Sequence, residues 1–174
     1  MCSLFVGGAV ARGEDQPYFH AGWKMLGAEA VTHQQSAQGQ AQQLYHYNQI
    51  PPNTVPKTPE HAKALVAGIR KDLDASNKAL DKLKAENAKN KEAVALIESI
   101  KKHHAKAHEV CGMAEEACAK HHEGEDLVLG DCCSDMYHEL EAAKGETTKL
   151  LKLLKIDKLE PPKKGDAKPA ATKK

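Results

Sequence analysis

Apolar and small residues recur with a 4,3 spacing through four separate stretches of this chain, a rhythm that restricts it to helices burying one face each. The clearest stretch is Leu129, Cys133, Met136, Leu140, Ala143, Thr147, Leu150 and Leu154, an unbroken heptad series with Gly145 as its only weak point. The preceding stretch carries Ala93, Ile97, Ile100, His104, Ala107, Cys111, Ala114, Cys118 and His121. Asn90 is suited to cap it, and it continues to about His122, ahead of a glycine stop at Gly124. Val66, Ile69, Leu73, Leu80 and Leu83 belong to a helix opened by Thr58-Pro59-Glu60 and frayed near Asn87 to Asn90. The first helix runs from about Tyr18 to Tyr47, with Phe19, Trp23, Leu26, Ala30, His33, Ala37, Gln40, Leu44 and Tyr47 on one face, and the Pro-rich segment Ile50 to Pro59 breaks it. Short connections favour antiparallel neighbours. The expected fold is therefore all-α, an antiparallel up-down-up-down four-helix bundle over residues 18–156.

A chain of 174 residues fits one such domain. Aromatic residues make up only 4 %, which suits long helices better than a sheet. After Ile156 the composition turns to Pro, Lys and Ala, so residues 157–174 have almost nothing to bury and read as a disordered tail.

The seam of the third helix is unusual because His104, Cys111, Cys118 and His121 occupy positions that should face partner helices. Cys and His are soft or borderline metal ligands once deprotonated. His104 to His108 is an i, i+4 pair, His108 to Cys111 is i, i+3, and Cys118 to His121 is again i, i+3, so successive donors lie one turn apart on one face. With helices three and four turning near Gly124, Cys118 falls level with Cys133, and Cys111 with Leu140. Similar counting brings His61 and His46 to the level of Cys118. One bundle end should then gather Cys118, Cys132, Cys133, His121, His61 and His46, while His33, Leu73, His104 and Thr147 share the middle. The candidate metal ligands are Cys111, Cys118, Cys132, Cys133, His61, His104, His108 and His121, and the ion they suit is copper or zinc.

A second reading of the same cysteines stays open, since Cys118 and Cys133 in facing seams can instead form a disulfide that ties helix three to helix four. His104 and His33 can likewise be core histidines satisfied by Thr147, Gln or Ser, and Met25, Met113 and Met136 read as core filler. Residues 1–11 look like a truncated export signal, with Leu4-Phe5-Val6 in a short apolar run and Ala9-Val10-Ala11 as a cleavage site. Cleavage there would remove Cys2 and leave four cysteines, an even number suited to a periplasmic or secreted protein.

Enzymatic activity is not expected. Glu-x-x-His, which a di-iron bundle needs on two helices, is absent, and no glycine-rich phosphate loop or G-x-S-x-G turn occurs. Twenty-five basic against 24 acidic residues give no general pull toward nucleic acid. The tail from Glu160 onward, with five Lys against two acids, would support only weak, salt-sensitive binding. No stretch has the length of a membrane span. A second copy of the chain or an envelope protein remain open as partners.

The runs His61-Ala62-Lys63-Ala64 and His104-Ala105-Lys106-Ala107-His108 resemble those of small periplasmic His-rich helical bundles that bind copper and other divalent metals. The resemblance covers helices two and three, and the cysteines depart from it because those proteins rely on histidine. It implies metal buffering or scavenging in the cell envelope and bears on His61, His104 and His108 alone. The alternative is a disulfide-stapled structural or interaction bundle with no metal role.

Overall fold

Asn90 Oδ1 accepts a 3.1 Å hydrogen bond from the Ala93 amide, the side-chain cap that starts the third helix where the sequence places it. The computed structural model describes residues 17–49, 59–119 and 126–156, apart from the side chains at 17–21, 59, 118–119 and 126–129. Residues 1–11, read as an export signal, the Pro-rich connection, His121 and the segment after Ile156 lie outside the described residues. Four helices make up the fold: α1 (Pro17–Gln49), α2 (Pro59–Glu86), α3 (Lys91–Ala119) and α4 (Asp126–Leu153), with no strand among the described residues. After α4, Lys155 takes a left-handed conformation (φ 56°), and Ile156 N bonds Leu151 O at 2.9 Å, a six-to-one closure that satisfies a terminal carbonyl.

Each helix packs mainly on two others, α1 on α2 and α4, and α3 on α2 and α4. Paired residues rise in number along one helix as they fall along its neighbour. Ser76 meets Ala30, Asp72 meets His33, and His61 meets Tyr47 between α1 and α2. Between α2 and α3 the partners are Lys84 with Glu98, Asp81 with Lys101, and Asp74 with His108. Within each of these two pairs the helices thus run in opposite directions. The seam of α1 and α4 is tight at Gly27, where a Cβ would lie 2.6 Å from Leu151 Cδ2 and 3.2 Å from Ile156 Cδ1.

The core has two apolar parts. At one end Leu80, Leu83, Ile97, Ile100, Leu150 and Leu154 interdigitate with Leu26 and Ile156. At the other, Leu44, Ile69 and Leu73 pack among many small or sulfur-bearing side chains: Ala37, Ala41, Ala62, Ala107, Ala114, Cys111, Cys132, Cys133 and Met136. All the seam residues expected on α2 are buried, as are those on α3 from Ala93 to Ala114 and on α4 from Cys133 to Leu154.

Two expectations are corrected. On α1 the inward positions are Gln34, Ala41 and Asn48, not the adjacent His33, Gln40 and Tyr47, which are only partly buried. This helix offers little contrast between small and polar residues, so apolar spacing alone leaves its rotation open by one residue. The layer count between α3 and α4 is also off by one turn, since Cys111 meets Met136 rather than Leu140.

Candidate functional site

Between the two apolar parts, every helix contributes polar side chains to one buried layer. His104 of α3 is fully buried, and its Nδ1 lies 2.7 Å from Oδ1 of Asn77 on α2. Its Nε2 lies 3.1 Å from Nε2 of Gln34 on α1, which also donates to Oγ1 of Thr147 on α4 at 2.9 Å. The Thr147 hydroxyl in turn donates a hydrogen bond to the Ala143 carbonyl at 2.9 Å. An amide oxygen can only accept and an amide nitrogen can only donate, so His104 carries its proton on Nδ1 and accepts at Nε2. The ring is neutral. Burial, reinforced by the nearby His103, His108 and Lys101, pulls its pKa down to about 4. Gln34 Oε1 is left buried without a hydrogen-bond partner. With both nitrogens committed to protein groups, His104 acts here as a core residue, the alternative that its neighbours Thr147 and Gln suggest.

Cys111, Cys132, Cys133 and Met136 collect at the small-residue end, whereas Met25 and Met113, expected as core filler, are exposed. Cys111 Sγ lies 3.9 Å from Met136 Sδ, and both residues are fully buried. Cys132 and Cys133, one turn before Met136 on α4, are buried in the same cluster. Cys111 and Cys132 carry free thiols. Burial pushes the Cys111 thiol up to about 11 despite the guanidinium of Arg70, which both hydrogen-bonds to it and acts on it by charge. Burial also raises the Cys132 thiol, aided by Asp135 and Asp131. Arg70 is held by Glu115 at 3.0 Å. These thiols are therefore poor nucleophiles in the folded protein. Cys118 lies on α3, two turns beyond Cys111, but its side chain is outside the described set, as is any pairing with Cys133.

The other described histidines lie toward the outer faces, exposed or half-buried. His61 is exposed and stacks at a tilt on Tyr47, with centroids 4.9 Å apart, at the same end as the sulfurs but on the outer face. His46 is exposed beside Tyr45. His108 reaches Asp74 of α2 at 3.5 Å, away from the core. His33 pairs with Asp72 at 2.8 Å, and His103 with Glu139 at 2.6 Å. Desolvation raises the Asp72 carboxyl, but hydrogen bonds from Ser36, His33 and Gln40, with the charge of His33, outweigh it and leave the pKa lowered. Among the described residues the structure brings Cys111, Cys132 and Cys133 together inside the bundle, buries His104 in the polar layer, and leaves His46, His61, His108 and His138 exposed or half-buried on its outer faces. Among the described residues no three His, Cys, Asp or Glu side chains converge to hold a metal ion.

Gln34, Asn77, Met136 and Arg70 escaped the sequence reading as site residues. The first two left a signal: Gln34, Ser76, His104 and Thr147 all interrupt their apolar rhythms at the level where Asn77 also enters. Met136 sat in the seam but read as filler. No family model, curated protein or solved structure matches this chain. No helix among the described residues is long and apolar enough to cross a membrane.

Proposed function

We propose that this protein is a non-enzymatic helical bundle of the cell envelope that buffers or scavenges metal through its sulfur-bearing end. The observation that carries this reading is the burial of Cys111, Cys132 and Cys133 with Met136 in one apolar cluster. A protein that only needed a core would gain more from Leu or Ile at these positions, because a buried thiol contributes less apolar area and adds oxidation chemistry. Copper fits better than zinc. A tetrahedral zinc site wants four N or S donors, whereas cuprous copper accepts a small set of soft sulfurs. His104 is not assigned a metal role, since ligation would break its bond to Gln34 or to Asn77. His61 and His108 lie on the outer faces, where they serve at most as surface ligands.

A second reading, a metal-free bundle that offers a helix face to an envelope partner, draws on the polar layer. One interlocked polar group from each helix fixes registry, which is what a structural module needs.

Anaerobic titration of the reduced full chain with Cu⁺ and Zn²⁺, against competing chelators, separates the two. The metal reading expects saturable binding that Cys111→Ser and Cys132→Ser weaken and that His61→Ala and His108→Ala leave within about twofold. Absence of binding, or binding untouched by the cysteine variants, would favour the structural module.

A further inference from the structure

We propose that Cys111 and Met136 together form the seat of a single soft monovalent cation, Cu⁺, with the thioether as a true ligand. The inference rests on the metal-binding reading and specifies its site. Three observations carry it.

The first is separation. The two sulfurs stand 3.9 Å apart across the α3–α4 seam. With metal–sulfur bonds of about 2.3 Å, an ion joining them subtends roughly 115°, near the angle of a trigonal plane. Cys132 and Cys133, buried one turn before Met136 on α4, are the other sulfur donors of the same cluster.

The second is charge. Both sulfurs lie at zero exposure in an apolar cluster, where any uncompensated charge is costly. One thiolate, one neutral thioether and a +1 ion sum to zero. A +2 ion at the same pair would leave a buried positive charge beside Arg70. The charged groups acting on Cys111, Arg70 and Glu115, already neutralise each other at 3.0 Å.

The third is ligand softness. A thioether has little attraction for zinc or harder ions and favours cuprous copper. In the metal-free protein the Cys111 S–H donates a weak bond to Met136 Sδ. On loading, that S–H bond breaks, the proton leaves to solvent, the thiolate takes the cation and Met136 turns its lone pair to the ion. No electron is transferred.

The test uses the reduced full chain and its Met136→Leu variant, a replacement of similar volume that keeps the bundle packed. Cu⁺ affinity should fall by at least about tenfold in Met136→Leu, a loss of the size that follows from removing one partner at a metal site. Ag⁺ should behave like Cu⁺, and any Zn²⁺ binding should be unchanged. Circular dichroism of the variant should match the parent. Wild-type Cu⁺ affinity in a folded Met136→Leu variant would overturn Met136 as a ligand while leaving cysteine-based binding standing. A protein that binds neither Cu⁺ nor Zn²⁺ would overturn the broader reading as well.

Discussion

Asn77 on α2 accepts a 2.7 Å hydrogen bond from Nδ1 of His104 on α3, and this contact decides the proton positions of the whole central layer. Because Nδ1 holds the proton, Nε2 must accept, which orients the Gln34 amide, which in turn supplies Thr147. Each partner is chosen by the one before it, and the chain visits all four helices.

His104→Ala should therefore be among the most damaging single changes in the bundle, costing about 3 kcal/mol, because it opens a cavity and removes the partner of one Gln34 N–H and of Asn77 Oδ1. Replacing His104 and Gln34 together by Leu should recover much of that loss, since both buried polar partners then disappear. Urea unfolding of the three proteins checks this. A double variant less stable than His104→Ala would contradict it.

How much of this was legible in the residues differs by helix. On α2, α3 and α4 the large apolar residues recur often enough to set the inward face. On α1, Ala30, Ala37 and Ala41 alternate with Gln and His, and the face was placed one residue away at His33, Gln40 and Tyr47. The burial of Cys111 and Cys133 was readable from helix spacing, because both keep the seam rhythm, but Cys111 was expected beside Leu140 rather than Met136. Their depth relative to His61 was not readable. Level along a bundle follows from counting residues, but whether a side chain looks inward or outward at that level depends on rotation, and His61 looks outward. The Cys111–Met136 contact needed the connection length between α3 and α4, which apolar spacing does not encode.

Acid should weaken the fold through His104. Its folded pKa, about 4, lies below the ordinary value of 6.5, so the unfolded chain binds the proton first as pH falls. The stability tied to the neutral ring is complete above pH 6.5 and is lost progressively down to about 4, amounting to roughly 3 kcal/mol. Denaturation midpoints between pH 7.5 and 4.5 in parent and His104→Leu should converge toward acid. Parallel curves for the two proteins would contradict the assignment.

The buried thiols should react slowly. Cys111 and Cys132 lie in the core with thiol pKa values raised by burial, so a thiol reagent should modify them in native buffer only as the bundle opens. Rates should rise steeply in urea. Immediate modification of both in native buffer would contradict their burial.

Metal affinity should carry the signature of a thiol rather than an imidazole. With the Cys111 proton lost only near pH 11, each metal bound below that pH displaces about one proton from it, and the conditional affinity should rise about tenfold per pH unit through 7 to 9. Binding by surface histidines would instead level off above roughly pH 7. Chelator competition at several pH values distinguishes the two slopes.

The most direct measurement of the central claim is X-ray absorption at the copper edge of the reduced full chain loaded with one equivalent of Cu⁺. Seating at Cys111 and Met136 predicts a shell of two or three sulfurs at about 2.3 Å with no imidazole scattering beyond it. A shell dominated by nitrogen, with the outer scattering of histidine rings, would place the ion on the outer faces and contradict the account.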